Sequence, residues 1–121
     1  MARISVVQHN GQTVLLQDFS NLREGDDYRR CVAEAKAYIG RQAPASVRSV
    51  FDATGAVYNA QVLAELKDFT AFNKPFMKAS AVVGVEGILG IALLAVEKFS
   101  GRSFRRFKDR AAALDWVAAQ P

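Results

Sequence analysis

Strand-forming and helix-forming patterns alternate along this chain. Ile4 to Gln8 is a short β-rich run, and Asn10-Gly11 follows it at once. That dipeptide suits a type I′ turn, whose two central residues need positive φ, so Thr13 to Phe19 is predicted as the second strand of a hairpin. From Asp26 the period changes. Tyr28, Cys31, Val32, Ala35, Tyr38 and Ile39 share one face of a helix, with Gly40 placed to end it and Pro44 preventing its continuation.

Val47 to Phe51 reads as a third strand, leading directly into Asp52-Ala53-Thr54-Gly55. A second helix is expected over Ala60 to Phe72, stopped at Asn73-Lys74-Pro75 because the residue before proline avoids the α region. Met77 to Val83 has the nearly unbroken apolar end of a central strand covered on both faces. Glu86 to Phe99 reads as a third helix, apolar on most sides; a short strand over Phe104 to Phe107 and a helix capped by Asp109 follow. The order is β-β-α-β-α-β-α-β-α. It predicts a single α/β domain over residues 1–121, with a mixed, mostly parallel sheet.

Composition changes this picture at one point. With 121 residues, half of them hydrophobic and 23% charged, the chain can bury a core without staples. The net charge of +4 is local: Lys98, Arg102, Arg105, Arg106, Lys108 and Arg110 stand against Asp109 alone, a run of +5 on a remainder of −1. Phe99, Phe104 and Phe107 interleave with these cations, a pattern that nucleic-acid binding can use, but the phenylalanines fit a buried strand and helix end better. Arg102, Arg105, Arg106, Lys108 and Arg110 are expected as a solvated rim facing an acidic protein or lipid headgroups at a membrane surface. Nucleic acid is the weaker partner. The Ala79–Val96 stretch approaches membrane-span length, but Glu86 and three glycines interrupt it, so no transmembrane segment is expected. The start lacks a secretory pattern, which makes the cytoplasm the expected location.

Catalytic signatures are sparse. One histidine, His9, and one cysteine, Cys31, exclude a disulfide and a four-ligand Cys/His zinc site within one chain; no metal and no cofactor are expected. His9 is expected to be exposed beside the hairpin turn, and Cys31 to be core. Asp18 and Asp52 end strands that could be neighbours, and their carboxylates could converge for acid–base or metal chemistry, although aspartates capping turns explain them as well. Gly84-Val85-Glu86-Gly87 opens a helix but lacks a phosphate-loop ending.

Several ordered stretches carry a family resemblance: Leu15-Leu16-Gln17-Asp18-Phe19-Ser20, Asp52-Ala53-Thr54-Gly55-Ala56, Ala81 to Gly87, Gly101-Arg102-Ser103-Phe104 and Ala113 to Val117. Together they resemble the STAS domain of anti-sigma-factor antagonists, and more closely SpoIIAA-like proteins, a group similar in fold to STAS and CRAL-TRIO domains. The resemblance implies a non-enzymatic regulatory module of bacterial type, whose strand-to-helix turn can carry a phosphorylated Ser or Thr. In the sporulation pattern that acceptor follows the Asp directly, a position occupied by Ala53; in the stressosome-like pattern it is one residue later, at Thr54.

Two functional expectations follow. In the first, the turn Asp52, Thr54 and Gly55 serves as a switch toward a protein partner; an Asx-type turn accounts for the same residues without a switch. In the second, which the CRAL-TRIO resemblance implies, an apolar lipid-like ligand lies beside the third helix, bordered by Phe69, Phe72, Phe76, Leu89 and Leu93. The apolar surplus of that helix could equally face the core, a membrane or a second copy in a homodimer.

Overall fold

The computed structural model describes residues 2–121. Strand β1 (Ile4–His9) and strand β2 (Gln12–Asp18) form the expected antiparallel hairpin, and Asn10 and Gly11 both take positive φ, at 49° and 79°. Helix α1 (Gly25–Ile39) leads to β3 (Val47–Asp52), helix α2 (Ala60–Asn73) to β4 (Met77–Val83), and helix α3 (Ile88–Ser100) to β5 (Arg105–Phe107). Helix α4 (Arg110–Ala119) ends the chain. The strands lie side by side in chain order, β1-β2-β3-β4-β5, and every pair after the hairpin is parallel.

This order positions everything that follows. Crossovers that advance one strand at a time with the same hand put their helices on the same side of a sheet. So α1, α2 and α3 share one face, where Leu15, Val47 and Phe51 pack against Ala35, Ile39, Phe69 and Leu66. Phe19 is fully buried there and stacks on Phe51 with ring centroids 4.3 Å apart. The opposite face has α4 alone: Val14, Val50, Ala79, Ala81 and Val83 close against Ala113 and Val117. Arg48 points to that side and donates from Nε to Val117 O (3.0 Å) and from Nη2 to Gln120 O (2.9 Å), supplying the last carbonyls of α4 with partners.

Local signals explain the helix ends. Asn59 accepts from Val62 N–H at 2.8 Å to start α2, and Asp109 accepts from Ala112 N–H at 2.9 Å to start α4. Gly40 ends α1 as expected, staying right-handed at φ −63° while Gly40, Arg41 and Gln42 N–H reach back to Lys36, Tyr38 and Ile39. Two expectations need correction. Helix α3 starts two residues later than Glu86, since Gly84 and Gly87 both sit at positive φ. His9 is half-buried rather than exposed: its Nε2 lies 2.6 Å from Asp115 Oδ1 on α4, a contact between segments 106 residues apart. Cys31 is buried as expected, and burial pushes its thiol pKa up.

Helix α3 packs along α2 and leaves much of its own surface uncovered. Ile88, Ile91, Leu94 and Phe99 are exposed on its outer side, while Leu89, Ala92, Leu93 and Val96 face inward. Among the described residues no helix is long and apolar enough to cross a membrane.

Candidate functional site

Chemistry gathers first at the C-terminal ends of the parallel strands. β2 and β3 both finish in aspartate, and their register sets Asp18 directly beside Asp52. Each carboxylate caps the turn that follows it. Ser20 donates its N–H and hydroxyl to Asp18 Oδ1 (3.0 and 2.5 Å), and Thr54 donates its N–H and hydroxyl to Asp52 Oδ1 (2.9 and 2.6 Å). The turns are tied together by Phe19 N–H to Asp52 O and Asn21 N–H to Thr54 O. Arg3 steadies the first turn from below, donating to the Asp18 and Ser20 carbonyls.

Two adjacent carboxylates repel unless a cation lies between them. Arg110, the first residue of α4, provides it: Nε donates to Asp52 Oδ2 at 2.6 Å and Nη2 lies 2.8 Å from Asp18 Oδ1. Burial by itself would raise the Asp18 pKa, but bonds from Ser20 and the Arg110 guanidinium outweigh it and the net direction is down. The hydrogen bonds that Arg110 donates to the Asp52 and Asp18 carboxylates hold its pKa above the ordinary value. A carboxylate held ionised in this way is a poor proton acceptor, so this constellation suits turn fixation more than acid–base chemistry.

Asp52, Thr54 and Gly55 therefore share one turn, as expected. Asp52 is buried and Thr54 is exposed. Ala53, at the sporulation-type acceptor position, is buried and its N–H is bonded to Val83 O. Gly55 and Gly84 both have positive φ, and each has a neighbour where a side chain would be: a Cβ on Gly55 would run into Asn21 Oδ1, and one on Gly84 into Thr54 Oγ1. Thr54 is thus pressed flat against the loop that follows β4.

The second gathering is a cavity of about 110 Å³ between the sheet, α2 and α3. Of the residues expected beside an apolar ligand, Phe69, Leu89 and Leu93 line it. Phe72 and Phe76 do not. They pack on each other (5.7 Å): Phe72 sits on the face of α2 turned toward the end of α1, under the Lys36 ammonium, and the helical turn Lys74–Phe76 brings Phe76 beside it, against the Leu15–Ile39 cluster. The lining is not wholly apolar. Gln17, Ser49, Thr70, Asn73 and Ser80 contribute polar groups, and Gln17 Oε1 and Asn73 Oδ1 are buried without a hydrogen-bond partner.

The basic run divides. Arg105 lies over Trp116 (5.9 Å), Arg106 is 3.9 Å from Glu97, and Lys108 is exposed, consistent with a rim. Arg110 leaves the rim for the aspartate pair. Arg102 turns inward to line the cavity, donating to Thr70 O (3.1 Å) and Ser80 Oγ (2.7 Å), with Phe104 stacked on it at 4.6 Å. Burial lowers the Arg102 pKa to about 10.

Sequence reasoning missed Ser20, Gln17 and Asn73 as site residues. The repeat of Asp-x-Ser/Thr after two strands was a usable signal for Ser20. The alternation Leu15, Gln17, Phe19 was one for Gln17, since it puts the amide on the inward face. Asn73 was hidden by its place at a helix stop.

Neither a family model nor a curated protein matches the chain. Two solved structures do. An anti-sigma-factor antagonist (STAS) domain protein from Planctomyces limnophilus is 18% identical, with a TM-score of 0.64, covering 98% of this chain and 100% of that one. A protein with a SpoIIAA-like fold from Shewanella loihica PV-4 is 18% identical, with a TM-score of 0.65, covering 94% of this chain and 91% of that one. The chain has a STAS/SpoIIAA-like fold.

Proposed function

We propose that this chain is a non-enzymatic regulatory module that binds a protein partner through the Asp52–Gly55 turn. The observation that carries the reading is the position of Thr54: exposed, at a strand end, with its hydroxyl held by a buried carboxylate. The likeness in fold to a STAS domain protein supports it. A phosphate on Thr54 would remove the hydroxyl donor and add a charge of about −1.5 to −2 beside Asp52 and Asp18. Arg110 already serves both carboxylates, so the turn would be driven off Gly84 and a different surface presented. The test compares proteins retained on the immobilised wild-type chain, Thr54→Ala and Thr54→Glu. The switch reading requires Thr54→Glu to differ from the other two; identical sets on all three sink it.

The cavity favours a second reading, a carrier or sensor for an apolar ligand beside α3. Its lining by Phe69, Leu89 and Leu93 supports this.

A further inference from the structure

Resting on that second reading, we propose that the cavity beneath α3 binds a small apolar monocarboxylate. Its acid group sits on the Arg102 guanidinium and its hydrocarbon lies against Leu89, Leu93 and Phe51.

The cation comes first. A guanidinium has five N–H donors. Arg102 gives bonds to Thr70 O and Ser80 Oγ, leaving the rest of its fork unspent. No carboxylate among the described residues offsets its charge, and desolvation alone acts on its pKa. An unbalanced cation in an apolar chamber is stabilised by an anion that brings its own apolar body. The stacked Phe104 ring leaves the edge of the fork for such a partner.

Two buried amides supply the second, independent sign. Gln17 is 3% exposed and Asn73 is 2% exposed, and each has an amide oxygen with no partner. Native interiors rarely leave such atoms unbonded, and an amide can rotate to offer either N–H or oxygen to a carboxyl group. Asn73 lies one helical turn beyond Thr70, the residue whose carbonyl holds Arg102, so the amide and the guanidinium approach the same end of the chamber.

Size and charge narrow the class. A cavity of 110 Å³ is somewhat smaller than the ~150 Å³ hole that accepts benzene, which sets the hydrocarbon at about five or six carbons. Among the described residues Arg102 is the one cation lining the chamber, enough for a carboxylate and too little for a phosphate dianion.

Hexanoate, hexan-1-ol and acetate titrated separately into the ¹⁵N-labelled full chain provide the test. The readouts are the Arg102 Nε–H resonance, the amide resonances of Leu89 and Leu93, and the melting temperature. Hexanoate should shift all three resonances, raise the melting temperature and bind about tenfold or more tighter than hexan-1-ol or acetate. Arg102→Met should bring hexanoate down to the level of hexan-1-ol. Arg102→Lys, the variant to rely on if the methionine form does not fold, should keep only part of the preference because the charge stays and the fork is lost. Equal binding of hexanoate and hexan-1-ol, or a preference that survives in Arg102→Met, overturns the carboxylate assignment and leaves the cavity reading standing. Acetate binding as well as hexanoate overturns it too, leaving a simple anion site. If neither six-carbon probe binds, both readings fall.

Discussion

Arg102 and Arg110 belong to one basic run, yet the fold gives them opposite surroundings. Arg110 lies at the strand ends between two carboxylates, and its proton is held more tightly than usual. Arg102 lies under α3 against an aromatic ring, a hydroxyl and a backbone carbonyl, and its proton is held less tightly. One region is electrically closed; the other is open in both charge and volume. A closed cluster stabilises a fold by itself, whereas an open one is a place where something else can bind.

Arg110→Ala tests the closed region and should have the largest effect. It leaves Asp18 and Asp52 side by side with Arg3, 3.8 Å from Asp18, as the remaining cation, and should cost about 2–3 kcal/mol, less than a fully buried broken pair because the arginine is partly exposed. Urea denaturation measures this; a loss under about 0.5 kcal/mol would mean that the cluster contributes no more than an ordinary surface pair.

Acid should act on the same region with a smaller effect. The folded-state pKa of Asp18 is depressed, so its stabilising contribution is complete above the unfolded carboxylate value of about 4 and disappears as pH falls through the lower folded value. Asp18→Asn should reduce the drop in urea midpoint between pH 6 and pH 2.5. An unchanged drop would assign the acid sensitivity to other carboxylates.

Arg102→Met should have the smallest effect on the unliganded protein, within about 1 kcal/mol, because removing a charge buried without a counter-charge relieves its desolvation while forfeiting two hydrogen bonds. Thermal melts at pH 7 give the comparison. A loss equal to that of Arg110→Ala would erase the contrast between the two arginines and make Arg102 a structural residue.

Most of the fold was legible because local rules and the tertiary result agree. Asn10-Gly11 specifies the hairpin turn, the face Tyr28–Ile39 specifies α1, and Asp109 specifies the start of α4. The pairing of Asp18 with Asp52 was foreseeable from strand ends. What escaped was the partner of each charge. Nothing in a sequence window distinguishes Arg102 from Arg106, since the direction of a long flexible side chain is chosen by what lies across the fold. Phe72 and Phe76 were placed beside Leu89 for a similar reason: spacing locates them on α2 and the turn after it, but not which neighbour that face of α2 meets or where the turn carries Phe76.

The sequence alone therefore determined the order of the elements, the mixed, mostly parallel sheet, the turn chemistry of Asp52–Gly55 and the local origin of the positive charge. These depend on backbone preference and on contacts a few residues apart. Tertiary structure alone decided that a cavity lies between the sheet, α2 and α3, that Gln17 and Asn73 have amide oxygens without partners, and that one arginine closes a cluster while another opens on that cavity. Those depend on which distant surfaces meet and how completely they fill the space between them, and neither residue type nor spacing encodes that.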